Sequence, residues 1–210
     1  MNSKDKQKRK KVSNNKKFSL KGGLPFFCKN SAFLGGLILL LFINGAELHG
    51  IILFSSTYLI FNIFFSLLAC YRPEENRSKY IDLKKFTKNE FYGLIIAIAF
   101  TSLFSLIFYP IPFPSKIVML IFTGNFAMAF YSIFFHRISI LLYESSVYDR
   151  TDSIKVYFYK YLNIFYFGIN YEVQKILIRF PILINILISL IFMLIMLIQF
   201  FSVLTALGIE

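Results

Sequence analysis

The sequence predicts an all-α fold: a polytopic helical membrane protein with about five hydrophobic segments, the first two paired as an N-terminal hairpin, and one interfacial amphipathic helix. Three observations predict it. Hydrophobic residues make up 57% of the chain and the mean hydropathy is +0.63, above the apolar share of an average globular chain. Residues 31–70 form a forty-residue apolar run with one acid, Glu47, one histidine, His49, and no Lys or Arg. A run of about 18 apolar residues already crosses a hydrocarbon layer of about 30 Å, so this stretch is long enough to go out and back. Finally, the charge is uneven. If the N-terminus is cytosolic and each later segment crosses, residues 1–30, 72–90 and 136–179 hold ten, six and six cations, and the opposite side holds Lys116 alone.

Residues 1–30 are read as a basic disordered cytosolic tail and juxtamembrane linker. Lys8, Arg9, Lys10, Lys11, Lys16 and Lys17 are opposed only by Asp5. A segment this charged and this poor in apolar residues cannot collapse. Its expected partner is the anionic headgroup layer of the bilayer, at about 1 kcal/mol per cation near the surface. Nucleic acid is conceivable for Lys8–Lys11 but is not the expected partner. The linker Gly22-Gly23-Leu24-Pro25 is expected to stop any helix before the hairpin. Too long a basic region and no small-x-small site argue for an uncleaved anchor rather than a cleaved signal peptide.

Residues 31–70 are the hairpin, turning at Asn44-Gly45. Its first arm, residues 31–43, is short for a span, which suggests tilt, a thin bilayer or a wedge that only partly penetrates. Residues 71–90 are a polar cytosolic loop, and residues 91–135 a second pair of spans separated by Pro110-Ile111-Pro112-Phe113-Pro114. Each proline removes a backbone donor and pushes its predecessor to extended conformations. The fourth span is expected to close at His136-Arg137, and its Thr123-Gly124-Asn125 to let helices approach closely. Within residues 136–180, Asp152, Lys160, Asn163, Asn170 and Gln174 share an arc of about 80° on a helix of 100° per residue. Aromatic and aliphatic side chains fill the rest. Tyr rings and Lys stems favour the headgroup boundary, so this segment is expected to lie in the membrane plane; packing half-buried against other spans is the alternative. Residues 181–210 form the last span, entered through Pro181.

Few side chains point to chemistry, and no cofactor or metal is expected. Glu47 and His49 are ionisable residues within an apolar run, where a proton relay or metal pair is conceivable. A metal needs three or four ligands, so a wet turn is the favoured reading. Cys28 and Cys70 flank the hairpin as palmitoylation candidates or as ordinary interfacial thiols. Asn76-Arg77-Ser78 is a glycosylation sequon that would stay bare on a cytosolic loop. There is no Gly-x-Ser-x-Gly, Cys-x-x-Cys or Walker sequence, so no enzyme is expected.

The order of features resembles the Transmembrane Protein 33 family of multi-spanning endoplasmic reticulum and nuclear-envelope proteins. A hairpin precedes a basic loop, a span ends in Ile107-Phe108-Tyr109-Pro110, the next closes on Arg137, and an aromatic segment with Glu172 precedes Pro181. The chain departs from the family at its close, where residues 182–207 make a stronger span. The resemblance implies a home in the endoplasmic reticulum or nuclear envelope, N-terminus cytosolic. The expected role is non-enzymatic shaping or organisation of membrane. The alternatives are an accessory subunit of a membrane complex for insertion, translocation or trafficking, with other membrane proteins as partners, and a small lipid-modifying enzyme or carrier.

Overall fold

Apolar stripes at three- and four-residue spacing shape the helices of the computed structural model, which describes residues 20–71 and 86–208. The helices are α1 (Leu20–Ile43), α2 (Leu48–Tyr71), α3 (Lys88–Phe104), α4 (Ser115–Val147), α5 (Ile154–Leu177) and α6 (Ile182–Ala206), with a 3-10 turn at Ser105–Phe108 after α3. In α1 the buried stripe is Phe26, Asn30, Leu34, Leu37 and Leu41; in α2 it is Ile51, Phe54, Tyr58, Phe61, Phe65 and Ala69. Both follow the i, i+3, i+4 pattern of one helix face. The opposite faces are apolar as well, as a lipid-facing surface requires. Five segments are long and apolar enough to cross a membrane: Gly22–Ile43, Leu48–Tyr71, Lys88–Phe108, Ser115–Val147 and Ile182–Ala206. The chain is a multi-pass helical membrane protein.

Three boundaries differ from those the sequence suggested. First, α1 begins at Leu20, so Gly22-Gly23-Leu24-Pro25 lies inside the helix. Pro25 comes early enough that its ring costs only the bond to the Lys21 carbonyl. Gly23 sits against the Ser66 carbonyl and Cys70 Sγ of α2, a space a side chain would fill. The glycine is a packing contact, and the two arms are equal at 24 residues each, so the first is not short. Second, α4 does not close at His136-Arg137 but runs on to Val147, with non-helical angles at Phe135 (φ −130°, ψ 46°). The expected end of the span is a kink. Third, α3 starts at Lys88, capped by Thr87 Oγ1, which accepts from the Glu90 N–H at 3.2 Å. The basic tail with Lys8, Arg9, Lys10, Lys11, Lys16 and Lys17, the sequon Asn76-Arg77-Ser78, and Glu210 lie outside the described residues.

The turn at Asn44-Gly45 is as expected. Gly45 has φ +67°, a left-handed conformation that closes a helix without Cβ strain. Asn44 then ties the hairpin to α4: its Nδ2 donates to Ser115 Oγ at 2.7 Å and to the Pro112 carbonyl at 3.1 Å. The Glu47 N–H donates to the Ala206 carbonyl at 2.8 Å, so α6 ends at the same place.

Neighbouring helices pack in the order α1, α2, α6, α4, α5, α3. The main core joins α1, α2, α4, α5 and α6. Its centre is aromatic: Phe192 of α6 lies over Phe61 and Phe65 of α2, and Phe54 meets Phe122 of α4 edge-on. Helix α3 reaches this core through α5 and its own trailing turn.

α5 is not among the five candidate spans, yet it is half-buried between α3 and α4. Its polar arc is divided. Asn170 and Gln174 are turned inward and buried, Lys160 and Asn163 are half-buried, and Asp152 is exposed ahead of the helix. An in-plane helix of the expected kind would turn that whole arc outward. Four of its five members, Lys160, Asn163, Asn170 and Gln174, lie on α5 and Asp152 precedes it, and hydrogen-bonding partners on other helices decide which way Lys160, Asn170 and Gln174 face.

Candidate functional site

A polar seam runs through the bundle. Five side-chain amides donate across helix boundaries to hydroxyls: Asn62 to Ser31 (α2 to α1, 2.9 Å), Gln199 to Thr57 (α6 to α2, 2.8 Å), Gln174 to Ser189 (α5 to α6, 3.4 Å), Asn170 to Ser132 (α5 to α4, 3.1 Å) and Asn44 to Ser115 (2.7 Å). Several hydroxyls pass their own proton on. Thr57 donates to the Leu53 carbonyl at 2.9 Å, Ser132 to the Met128 carbonyl at 2.6 Å and Ser189 to Asn185 Oδ1 at 3.2 Å. Lipid tails give apolar helices no hydrophobic reason to associate, so such bonds and close packing hold spans together, at about 0.6 kcal/mol per bond.

At the α4–α5 contact the Thr123-Gly124-Asn125 step acts as the sequence suggested. A Cβ on Gly124 would lie 3.0 Å from the Tyr166 carbonyl, so glycine allows the close approach. Asn125 Oδ1 then accepts the Asn170 backbone N–H at 2.8 Å, while its Nδ2 donates to the Ile121 carbonyl at 2.9 Å. Both ends of the amide are used.

The α3–α5 joint carries charge. Lys160 Nζ donates to Glu90 Oε1 at 2.7 Å and the Tyr161 hydroxyl donates to the same oxygen at 3.1 Å. Lys160 Nζ also lies 5.5 Å from the ring centres of Tyr157 and Tyr161. Gly93 fits against Tyr157 and Phe158, and the Tyr166 hydroxyl donates to Thr101 Oγ1 at 2.9 Å. Thr87 and Glu90 have the spacing of a capping box, but the Glu90 carboxylate is turned to α5.

Beyond the kink, α4 meets α5 again. Tyr143 and Tyr171 stack at 4.0 Å with planes 14° apart, and the Tyr171 hydroxyl donates to Glu144 Oε1 at 3.2 Å. Lys29 of α1 pairs with Glu172, an exposed bridge worth little by itself.

Burial, joined by the Glu90 carboxylate, pushes the Tyr161 phenol up to about 12. Burial also raises Tyr166, partly opposed by its bond to Thr101, and raises Tyr171, helped by its bond to Tyr148 and by nearby carboxylates. A raised phenol stabilises the fold fully below pH 10, the ordinary value, and loses that contribution as pH climbs through its folded value. Tyr161 should therefore titrate at about 12 in the folded protein, its stabilisation being lost between pH 10 and 12, and phenolate absorbance of Glu90→Gln should show one tyrosine moving back toward 10. An unchanged curve would remove Glu90 as a cause.

The residues singled out in the sequence do not converge. Glu47 and His49 are exposed on the hairpin turn, at the far end from Cys28 and Cys70. Among the described residues no three His, Cys, Asp or Glu side chains come together as a metal site. Cys28 is exposed, but Cys70 is buried against Gly23, so acylation there meets a shielded thiol. Maleimide should label the folded protein quickly at Cys28 and not at Cys70; Cys28→Ser should abolish fast labelling, and Cys70→Ser should leave it intact. What sequence reading missed is the set of amide–hydroxyl pairs. The only available signal was single polar residues in apolar spans, such as Asn62, Asn125 and Gln199. Compared with protein-family models, curated proteins and solved structures, the chain matches none.

Proposed function

We propose that this chain is a non-enzymatic multi-pass protein of the endoplasmic reticulum or nuclear envelope that organises membrane by its shape. The observation that carries the reading is the position of α5. It packs on α3 and α4, reaches Ser189 near the start of α6, and pairs with Lys29 near the start of α1. The opposite end is formed by Asn44, Glu47, Ser115 and Ala206, tied together without α5. Among the described residues α5 adds a sixth helix to the first end and reaches mid-height, where Tyr166 meets Thr101 and Gly124, while the ties of the other end join only the remaining helices. With the N-terminus cytosolic, the wider end lies in the cytosolic leaflet, and unequal leaflet occupancy favours curved membrane. The resemblance to the Transmembrane Protein 33 family points the same way.

Purified full-length protein in giant vesicles tests this. It should be enriched several-fold in pulled membrane tubes over the flat parent membrane, and in cells on tubules and the nuclear rim. Equal density on tube and vesicle would remove membrane shaping as its role. A second reading, a subunit of a larger membrane complex, is favoured by α1, whose Gly35 and Gly36 have nothing within 4 Å while Gly23, Gly50, Gly93 and Gly124 all meet another helix. Near-stoichiometric co-purification of another membrane protein, lost in Gly36→Leu, would favour it.

A further inference from the structure

In α2, Tyr58, Asn62 and Ser66 occupy successive turns, and all three are at least nine-tenths buried. The Tyr58 hydroxyl, Asn62 Oδ1 and Ser66 Oγ have no hydrogen-bond partner among the described residues. Surrounding hydrocarbon can supply none, and an unsatisfied polar atom in such a place costs several kcal/mol. Four residues advance a helix by about 6 Å and rotate it by about 40°, so the three groups form a ladder on one side of α2.

The chemistry of the rungs alternates. The Asn62 amide group is committed as donor to the Phe27 carbonyl at 3.1 Å and Ser31 Oγ at 2.9 Å, which leaves its oxygen as an acceptor. Above and below it stand hydroxyls, which can donate or accept. A small neutral molecule that both donates and accepts completes the sequence hydroxyl, carbonyl, hydroxyl. No charged side chain belongs to the ladder, so nothing recommends an ion. We propose that Tyr58, Asn62 and Ser66 hold a file of water molecules along α2, inside the α1–α2 hairpin. Water along this side of α2 gives each of the three groups a partner that the protein does not supply. Two more buried carbonyl oxygens without partners among the described residues, Gln174 Oε1 and Gln199 Oε1, sit on α5 and α6, both of which touch α2. They offer further acceptors if the file continues.

The test uses full-length protein in detergent. Tyr58 and Ser66 are two turns apart, about 12 Å along the axis, where substitutions ordinarily add. If waters link them through Asn62, Tyr58→Phe and Ser66→Ala each lower the melting temperature, and the double variant melts close to the worse single variant. Radiolytic hydroxyl labelling supplies a second readout. Tyr58 should label several-fold faster than Phe54 on the same helix, which is equally shielded from bulk solvent. Additive melting shifts, a Tyr58→Phe variant that melts higher than the parent, or labelling of Tyr58 no faster than Phe54 would each overturn the proposal.

Discussion

Lys160→Ala should destabilise the protein by about 3 kcal/mol, because it removes one partner of a largely buried ion pair and strands the other. Among the described residues the Glu90 carboxylate would keep only the Tyr161 hydroxyl, at 3.1 Å. The loss should be felt first in α3, which packs on the bundle through α5. Limited proteolysis between α3 and α4, around residues 105–114, should quicken before global unfolding begins. Lys160→Arg should keep most of the stability. The exchange Glu90→Lys with Lys160→Glu should recover part of what either single change loses, which separates the charge interaction from simple packing. A loss below about 0.5 kcal/mol would instead place this pair with ordinary surface bridges.

Gly50→Leu should be comparably damaging, for a steric reason. A Cβ at Gly50 would run into the backbone of Ala206 on α6, so relief requires the two helices to separate. Overpacking typically costs 1–3 kcal/mol, and about 3 kcal/mol is expected where the obstacle is backbone rather than a flexible side chain. Gly35→Ala and Gly36→Ala provide the contrast. Nothing lies within 4 Å of either position, so each should stabilise the isolated protein by up to about 1 kcal/mol through helix propensity alone. Equal effects of Gly50→Leu and Gly35→Leu in a melting assay would contradict the α2–α6 contact.

These contrasts also show which features were legible in the sequence. The hairpin turn, the proline run before α4 and the entry of α6 at Pro181 were readable because Gly and Pro act through their own backbone. Gly23 was misread for the same reason: a Gly-Gly-x-Pro string has loop composition, and only the nearness of Ser66 and Cys70 makes it a helix contact. His136-Arg137 looked like the end of a span because cations avoid hydrocarbon, but a helix can continue past the hydrocarbon, and this one bends at Phe135 and goes on. Periodicity placed Lys160, Asn163, Asn170 and Gln174 on one arc of α5, but Asp152, which it added to them, lies before the first turn. Periodicity cannot say whether water or another helix answers the arc. Here Ser132, Asn125, Ser189 and Glu90 answer it, each from another helix.

The placement of α5 within the bundle underlies both the shape reading and the docking of α3, and thiol cross-linking in native membranes tests it directly. In a Cys28→Ser, Cys70→Ser background with a protease site between α4 and α5, Ser132→Cys and Asn170→Cys should be joined by a short bifunctional thiol reagent. Ser132→Cys with Ile164→Cys, an outward position on α5, should not. Joining of the first pair alone is the predicted result. Failure of the first pair, with reaction of the second, would mean that α5 turns its polar arc away from α4, and the packed helix described here would be wrong.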